Sequence, residues 1–464
     1  MKQFRPIKSA MQIWMMLTAL IAASIIFIYL RWGIAGFDLF IQQWPLTNLS
    51  ITLASTAVTW LLLGALLYFL QAGSINHSNV LTFSGFFLVA WVYLNSLNDH
   101  YRYGDYTYYQ QAALSLVKNR HLPDTYFYLP LWATLLKPIA ALETNTFLLV
   151  LWLMNFLSLM VFFILLHLVL QRYGFSARLS ALVTTLFLLV NAPLLRTLDY
   201  VQVNIHVLNL IFGSLLLYPK RPLLSALLLA IAIHLKTSPA VLVLGFLLEK
   251  DWRWLTWLVL TTILIGAITM AANGLMPFAD YLHNIRILSA SRDAIFHDTS
   301  FDSFLSFAGS FLHLGFPVIR ILVYAFKVSF AAAAIFVMAR CVRNQAFYIS
   351  TERGAYLFNA IPALFILMTL ASPVVWEHHG LFLALSFLLL LKRIELPSEW
   401  LWFGFAYFLE FVLPTFDFFP WSYGRLVAPL IVLGLMWKAT KTKGTSPFFI
   451  AFNEWLTKLP AVGI

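Results

Sequence analysis

The sequence predicts an all-α fold of the polytopic membrane class, and three observations lead to that prediction. Of the 464 residues, 61% are hydrophobic and only 11% are charged, whereas an average soluble domain carries about 25% charged residues. Apolar runs such as Met11–Leu30 and Thr146–Leu170 have the length of about 20 residues that crosses a bilayer as a helix. Tryptophans such as Trp32 and Trp437 lie near the ends of these runs, as aromatic residues do at membrane interfaces.

Assigning one span to each apolar run predicts about fourteen spans, within a range of roughly twelve to fourteen. Runs 222–235 and 238–249 are too short to cross alone, so a broken hairpin or two partial spans are expected there. The spans are expected roughly at residues 12–31, 50–70, 80–98, 146–170, 178–194, 200–218, 222–235, 238–249, 253–273, 314–340, 354–374, 380–392, 399–415 and 424–438.

The distribution of charge predicts the orientation of these spans. The net charge is +11, but the basic residues form short clusters between apolar runs instead of one patch, which argues against nucleic acid as a partner. The basic side includes both termini and is expected to face the cytoplasm, as in a multi-pass protein of the plasma membrane. No small-residue cleavage site follows the first run, so we expect a retained helix there and not a signal peptide.

Two long polar segments, Asp99–Asn145 and Asn273–His313, fall on the opposite, outer side. We expect each to carry short helices. Within the first segment, Asp105–Leu122 has apolar residues at near-helical spacing, which predicts a helix on the membrane surface. The expected organisation is a single integral membrane domain over residues 1–464, with residues 439–464 as a cytoplasmic tail.

Ionisable residues at the membrane boundary cost free energy, so they are candidates for function. The segment Asn98–Tyr106 holds two carboxylates, Asp99 and Asp105, beside a histidine, an arginine and several tyrosines. A carboxylate at this place can act as a general base that takes a proton from an attacking hydroxyl. The residues by themselves leave Asp99 and Asp105 equal as the base, and a solvated loop with tyrosine anchors is the alternative.

Two further polar groups lie at span ends on the same predicted side. Gln202 and Asn204 can hydrogen-bond the hydroxyls of a sugar or, alternatively, a neighbouring helix. Lys236 precedes Pro239, which interrupts the helical pattern. A lysine there can bind a phosphate as a point charge, or it can simply extend to the interface from a helix end.

The fourth polar group is the segment Ser372–His379, with two adjacent histidines that can bind phosphate, move protons or ligate a metal. Their position beside Glu377 lacks a ligand spacing such as HExxH, so we expect no metal. The second outer segment adds positive charge, including Arg286 and Arg292. Because all four groups fall on one predicted side, the sequence predicts a pocket that handles an anionic lipid head group.

The order of these motifs resembles glycosyltransferase family 87, a branch of the GT-C superfamily of membrane enzymes. Members show an Asp followed by aromatics, then Tyr-x-Tyr-Pro-Pro, Gly-Gln-x-Asn, Lys-x-x-Pro, Asn-Gln-Ser-Leu and Ser-Pro-x-x-Trp-x-His. The resemblance covers about residues 95–395, and the corresponding segments are Gly104–Ala113, Tyr126–Pro130, Val201–Asn204, Ala230–Pro239, Asp298–Phe301 and Ser372–His379. The chain departs from the pattern at Leu129, Val201 and Thr299, where the family has Pro, Gly and Gln.

The resemblance implies a membrane hexosyltransferase that takes a sugar, mannose in the first place, from a polyprenyl-phosphate donor on the outer face. The acceptor would be a lipid or glycan, the configuration would be inverted, and Asp105 would be the single base. No cofactor is implied, because the lipid-linked sugar is itself the activated substrate. The residues implied to bind the donor phosphate are Lys236, His378, His379, Arg286 and Arg292. Those implied to position the sugar and acceptor are Asp99, Tyr103, Tyr128, Gln202, Asn204, Trp376 and Glu377.

Other classes of membrane protein remain as alternatives. A transporter is expected to show internal repeats and discontinuous helices at the midplane of the membrane, whereas here the polar residues gather at one face. A polysaccharide polymerase or ligase of another membrane fold would also face outward. A purely structural subunit would leave the one-sided cluster of charges unexplained.

Overall fold

The structure is a computed structural model that describes residues 5–42, 60–61, 64, 68, 77–96, 104–290, 298–350, 352–370, 372, 374–413, 423–441 and 444–458. Its helices are α1 (Arg5–Gln42), α2 (His77–Ser96), α3 (Tyr106–Lys118), α4 (Pro130–Leu136), α5 (Thr144–Arg172), α6 (Ala177–Leu189), α7 (Ala192–Asp199), α8 (Asn204–Leu217), α9 (Pro222–Leu235), α10 (Val243–Leu248), α11 (Trp252–Asn273), α12 (Met276–Ala290), α13 (Phe301–Phe311), α14 (Phe316–Arg343), α15 (Ala355–Leu370), α16 (Ala384–Leu388), α17 (Pro397–Tyr407), α18 (Gly424–Ala439) and α19 (Pro447–Lys458).

Short 3-10 or π segments adjoin several of these helices, at Lys137–Ile139, Ser238–Leu242, Glu377–Leu383, Leu389–Lys392 and Phe408–Val412. No strand occurs among the described residues, which confirms the all-α prediction for them, and their one isolated β-bridge joins Asp298 to Trp376.

Four helical stretches in the described part of the chain are long and apolar enough to cross a membrane. They are Met11–Arg31, Thr144–Arg172, Trp252–Asn273 and Phe316–Arg343. A fifth span results if α6 and α7, which meet at 62°, count together. Shorter apolar helices supply much of the remaining bundle, so the predicted number of about fourteen spans stays a prediction.

The long helix α5 shows how the sequence sets the ends of a span. Glu143 precedes it, and its carboxylate accepts hydrogen bonds from the backbone N–H groups of Asn145 and Thr146, which would otherwise lack partners at a helix start. Arg172 closes the last turn, where a cation offsets the helix dipole. At a rise of about 1.5 Å per residue, a helix of this length spans a bilayer core.

Helices α8 and α9 connect two different polar ends of the bundle. At one end, Tyr218 follows α8 and donates to Asp251 at 3.0 Å, and Asp251 also pairs with Arg353. Arg172 pairs with Glu352 at 2.9 Å. By the distribution of charge, Arg172, Asp251, Glu352 and Arg353 belong to the basic side that is expected to face the cytoplasm. At the opposite end, α8 begins at Asn204 and α9 ends at Leu235, directly before Lys236. The predicted site therefore lies at this opposite end of the two helices.

The first long polar segment contains the short helix α3 where a helix was predicted, and its position on the membrane surface stays a prediction. One face of α3 is buried through Tyr109, Ala112, Ala113 and Leu116, whereas Tyr108 and Val117 are exposed. This division matches the period of an amphipathic helix. The second long segment likewise carries two short helices, α12 and α13.

The predicted interruption before Pro239 is also present. Helix α9 ends at Leu235, and Lys236 has extended backbone angles. A 3-10 turn then includes Pro239, whose ring disfavours α-helix in the preceding residue. The break therefore turns the backbone at Lys236 out of the helical path.

Candidate active site

Asp105 stands immediately before α3, at a position where an aspartate usually caps the helix. Here its side chain makes no capping bond to the helix. Its backbone N–H donates to the carbonyl oxygen of Tyr200 at 3.0 Å, and its carboxylate oxygen Oδ2 accepts from Nε2 of Gln202. The carboxylate is thus held against the chain segment that leads into α8 instead of against its own helix.

Gln202 is held in turn by two tyrosines. Its amide oxygen Oε1 accepts hydrogen bonds from the hydroxyls of Tyr128 at 3.0 Å and Tyr109 at 3.3 Å. Gln202 is 2% exposed, so these polar atoms have few alternatives among solvent molecules. The predicted residues Asp105, Tyr128 and Gln202 therefore do come together.

The loop that carries Gln202 has an unusual backbone. Val201 has φ of 55°, in the left-handed region that β-branched residues rarely adopt. Backbone bonds hold it in place, since the Gln202 N–H donates to Thr197 at 2.8 Å and the Gln202 carbonyl accepts from Asn155. This geometry explains why a glycine suits the position occupied here by Val201.

Lys236 lies on the other side of the same loop. Its Nζ donates to Oδ1 of Asn204 at 2.8 Å and contacts Nε2 of His379. The amide nitrogen of Asn204 donates to the backbone carbonyl of His378 at 3.3 Å. Asn204 therefore joins the lysine to the segment that carries both histidines.

The proton positions at this contact follow from the neighbours of His379. Its Nδ1 accepts a hydrogen bond from the backbone N–H of Trp376 at 2.8 Å, so a neutral ring carries its proton on Nε2. Burial lowers the pKa of Lys236 to about 7, although the charge of Asp105 acts in the opposite direction. When the lysine is protonated, its ammonium and Nε2 of His379 are both donors. An anion that accepts from both of them would satisfy this arrangement, because a lysine ammonium has no acceptor atom of its own.

The second long segment is attached to the histidine segment through Asp298. Its Oδ1 accepts from the backbone N–H groups of Val375 at 2.8 Å and Ser300 at 2.9 Å. Thr299 donates through both its N–H and its hydroxyl to the Val375 carbonyl. The Thr299 position thus has a structural role that a side chain with a short hydroxyl fulfils.

Glu377 is engaged in ion pairs. Oε1 accepts from Arg425 at 2.9 Å, and Oε2 lies 3.5 Å from Nε of Arg196. The residue is only 8% exposed. These contacts give Glu377 a structural role, and its predicted contact with substrate stays a prediction.

Sequence reasoning missed the residues around Glu377. Arg425 and Glu410 come from α18 and the π segment, far from any motif, and Arg196 comes from α7. Oε1 of Glu410 lies so close to Gly380 that a Cβ added there would be 2.1 Å from it. A buried carboxyl over this glycine explains why the histidine segment continues with a residue that has no side chain.

Several predicted residues are not placed at the site. Asp99, Tyr103 and Arg292 lie outside the described residues. Arg286 is exposed on α12, a helix attached to the chain before α4 by Asn284, which donates to the carbonyls of Pro123 and Tyr126. Trp376 is half-buried, and its described contacts run through its backbone.

Burial dominates the electrostatics of the two aspartates in the loops. It raises the pKa of Asp105 to about 6, although the bond from Gln202 and the charge of Lys236 act in the opposite direction. Burial also raises the pKa of Asp298 to about 6, against the hydrogen bonds from Val375 and Ser300. A carboxyl with a pKa near neutrality suits a general base, which must be ionised before the reaction and accept a proton during it.

Among the described residues, no group of three or more His, Cys, Asp or Glu side chains comes together in a way that could hold a metal ion. The absence of a metal from the reaction stays a prediction from the sequence.

The comparison with protein families gives a match to the model for glycosyltransferase family 87 over residues 126–373, which is more than half of the chain. The chain belongs to glycosyltransferase family 87. This membership makes the protein a membrane glycosyltransferase, in agreement with its apolar helices. No curated protein and no solved structure is significantly similar to it.

The family 87 match includes Tyr128, Gln202, Asn204 and Lys236. Asp105 and the histidine pair lie just outside its two ends. Direct contacts nevertheless bring them to the matched part, since Gln202 holds Asp105 and Lys236 contacts His379.

Proposed function

We propose that this protein transfers a hexose, mannose in the first place, from a polyprenyl-phosphate sugar to a lipid or glycan acceptor on the extracytoplasmic face of the membrane. The observation that supports the proposal best is the loop Gln202–Asn204. One of its side chains holds the carboxylate Asp105, and the other holds the cation Lys236. A base and a phosphate-binding cation are the two groups that such a transfer needs.

In the proposed reaction, the acceptor hydroxyl attacks the anomeric carbon of the donor from the face opposite the phosphate. Asp105 takes the hydroxyl proton as the new carbon–oxygen bond forms. The bond between the anomeric carbon and the phosphate oxygen breaks, and its electron pair leaves with polyprenyl phosphate. One displacement inverts the anomeric configuration and requires one carboxylate.

Lys236 and Nε2–H of His379 would offset the charge that grows on the leaving phosphate. Both groups donate toward each other, so an anion between them would relieve that conflict. Asn204 would keep the lysine aligned. The choice of mannose and of a polyprenyl carrier rests on the resemblance of the motifs and on no contact in the structure.

The test is sugar transfer by the purified protein in lipid nanodiscs. Polyprenyl-phosphate mannose, glucose and arabinofuranose are each offered with an extract of cell-envelope lipids, and Asp105→Asn is compared with the wild type. We expect transfer from the mannose donor and a loss of at least about 100-fold in turnover for the variant, the usual effect of removing a general base.

Each other outcome changes a different part of the proposal. Transfer from glucose or arabinofuranose alone would replace the sugar. Full activity in Asp105→Asn would remove Asp105 as the base and direct attention to Asp99. Flipping of an unreacted lipid-linked sugar across the bilayer, with no transfer, would favour a transporter.

A further inference from the structure

We propose that Gln202 is a positioning residue for the catalytic base Asp105. Gln202 holds one carboxylate oxygen of Asp105, so that the other oxygen, Oδ1, takes the proton from the acceptor. The resemblance implied that Gln202 positions the sugar, and the residues by themselves left a sugar or a neighbouring helix as its partner. This inference rests on the proposed role of Asp105 as the base, and it specifies how that base is oriented.

The contacts determine which way the Gln202 amide faces. An amide has one acceptor end and one donor end. The acceptor end, Oε1, receives the hydroxyls of Tyr109 and Tyr128, and the donor end, Nε2, reaches Oδ2 of Asp105. A reversed amide would place its oxygen against the ionised carboxylate and would be repelled.

Burial makes this chain of hydrogen bonds rigid. Tyr109 is fully buried, and Gln202 is 2% exposed. The two tyrosine rings contact each other edge to face, with centroids 5.7 Å apart, and Trp132 contacts Tyr109 on a further side. The Tyr109 hydroxyl cannot turn to solvent, and the half-buried Tyr128 is held against it by the ring contact, so the amide oxygen keeps both donors.

The side chain of Gln202 has little capacity left for a sugar. Its oxygen accepts two hydrogen bonds, and one of its two N–H groups is directed at Asp105. Within the described residues, no hydrogen bond reaches Oδ1 of Asp105, and the aspartate does not cap α3. Oδ1 is therefore the oxygen available to an incoming hydroxyl.

Two groups facing Asp105 lower its pKa against the effect of burial, the Gln202 donor and the charge of Lys236 at the end of α9. The hydroxyls of Tyr109 and Tyr128 donate to Gln202 and so act on the same carboxylate indirectly. Removing only the Gln202 donor leaves burial and Lys236 in place. The pKa of Asp105 must then rise, because the ionised form loses a hydrogen bond.

The first arm of the test is infrared difference spectroscopy of the protein in nanodiscs, titrated from about pH 4 to about pH 9, a range that brackets the usual and the raised pKa of a carboxyl group. The protonated-carboxyl band that disappears in Asp105→Asn reports Asp105. In Gln202→Met, which keeps the size of the side chain but has no donor, we expect the midpoint to rise by about one pH unit. This arm needs no turnover, so it stands even if no donor sugar is transferred.

The second arm is the pH dependence of transfer. We expect Gln202→Met to lower kcat by about 10-fold to 100-fold. The pKa on the acidic side of the pH–rate profile should rise by the same amount as the infrared midpoint. KM for the donor should change by less than about twofold, since the substitution does not affect the binding of the donor in the ground state. Tyr109→Phe with Tyr128→Phe should cause a smaller shift in the same direction, because the amide then loses what fixes its orientation.

Two control variants separate positioning from structure. Gln110 is a buried glutamine on α3 that donates to the carbonyls of Ala140 and Leu142, and Tyr173 is a buried tyrosine that donates to Phe358. Gln110→Met and Tyr173→Phe should lower stability without moving the Asp105 midpoint. An unmoved midpoint in Gln202→Met, with a raised KM, would overturn the proposal and return Gln202 to substrate binding. A midpoint that moves equally in the controls would overturn it as well.

Discussion

Asp105 and Glu377 are two carboxylates of the candidate site with surroundings that differ in kind. Glu377 belongs to the histidine segment, whereas Asp105 is linked to that segment through the loop Gln202–Asn204. Asp105 is held by an amide and a backbone bond, with the cation Lys236 acting on it only through its charge. Glu377 accepts from one arginine and lies within ion-pair distance of another. One oxygen of Asp105 can still receive a proton from a substrate, whereas both oxygens of Glu377 face arginines.

The comparison teaches that proximity to a site does not by itself make a carboxylate catalytic. A base needs a free oxygen and a modest pKa. A buried ion pair instead needs all of its charges to be present, because loss of one partner leaves the other uncompensated. The following predictions, from the largest expected effect to the smallest, test this distinction.

The largest effect on stability is expected for Glu377→Gln. The substitution leaves the buried guanidinium of Arg425 with less compensation, which costs about 3 to 5 kcal/mol where such a pair is broken. The matched control is Glu352→Gln, which breaks the exposed pair with Arg172 and should cost at most about 1 kcal/mol. Thermal unfolding of both variants in detergent compares the two losses of stability. Equal melting temperatures of the two variants would show that the ion pair of Glu377 does not stabilise the fold.

The second effect concerns turnover, through Lys236→Met. If Lys236 offsets charge on the leaving phosphate, kcat should fall by about 100-fold or more. Lys137→Met is the control, since Lys137 donates to Asn273 at 3.1 Å and has no contact with Asp105 or His379 among the described residues. Transfer kinetics with saturating donor measure both, and an unchanged kcat in Lys236→Met would leave Asp105 without a cationic counterpart.

The third effect is a gain of stability in Asp105→Asn. Because burial raises the folded pKa of Asp105 from 3.8 to about 6, the ionised carboxylate destabilises the fold by about 2 to 3 kcal/mol above pH 6. The penalty shrinks as pH falls and is gone below about pH 4, where both states are protonated. The variant should therefore melt higher than the wild type at pH 7.5 and at the same temperature near pH 4.

Asp251 supplies a control of opposite sign for that measurement. Burial would raise its pKa, but Arg353 and other donors hold the pKa below its usual value. Its ionised form therefore stabilises the fold, and this contribution is lost as pH falls through the lowered pKa. Asp251→Asn should melt lower than the wild type at pH 7.5, and a gain in stability there would contradict the assigned ion pair.

The smallest effect is expected at Val201, in the loop that presents Gln202. Val201→Gly removes a left-handed strain of about 1 to 2 kcal/mol but also loses a buried side chain, so its net effect on unfolding should be small. Val201→Ala keeps the strain and loses the packing. The glycine variant should therefore be more stable than the alanine variant, the reverse of the usual order in a helix, and thermal unfolding compares the two.

The sequence by itself determined the membrane class, the all-helical fold, the break before Pro239 and the helix after Asp105. Each of these depends on local composition or on the covalent limits of proline, and both can be read along the chain. It also indicated the motifs that meet at the site, because polar residues next to apolar runs at the membrane boundary need a reason. These residues are Asp105, Gln202, Asn204, Lys236 and His379.

Only the tertiary structure decided which of these groups contact one another and which role each contact supports. The pairing of Gln202 with Asp105 and with Tyr109 joins residues about one hundred positions apart, and no periodicity encodes such a contact. The same holds for Arg425, which lies outside every motif and forms an ion pair with Glu377. The physical reason is that a hydrogen bond or ion pair in a buried place is set by which helix ends come together, and that depends on the packing of the whole bundle.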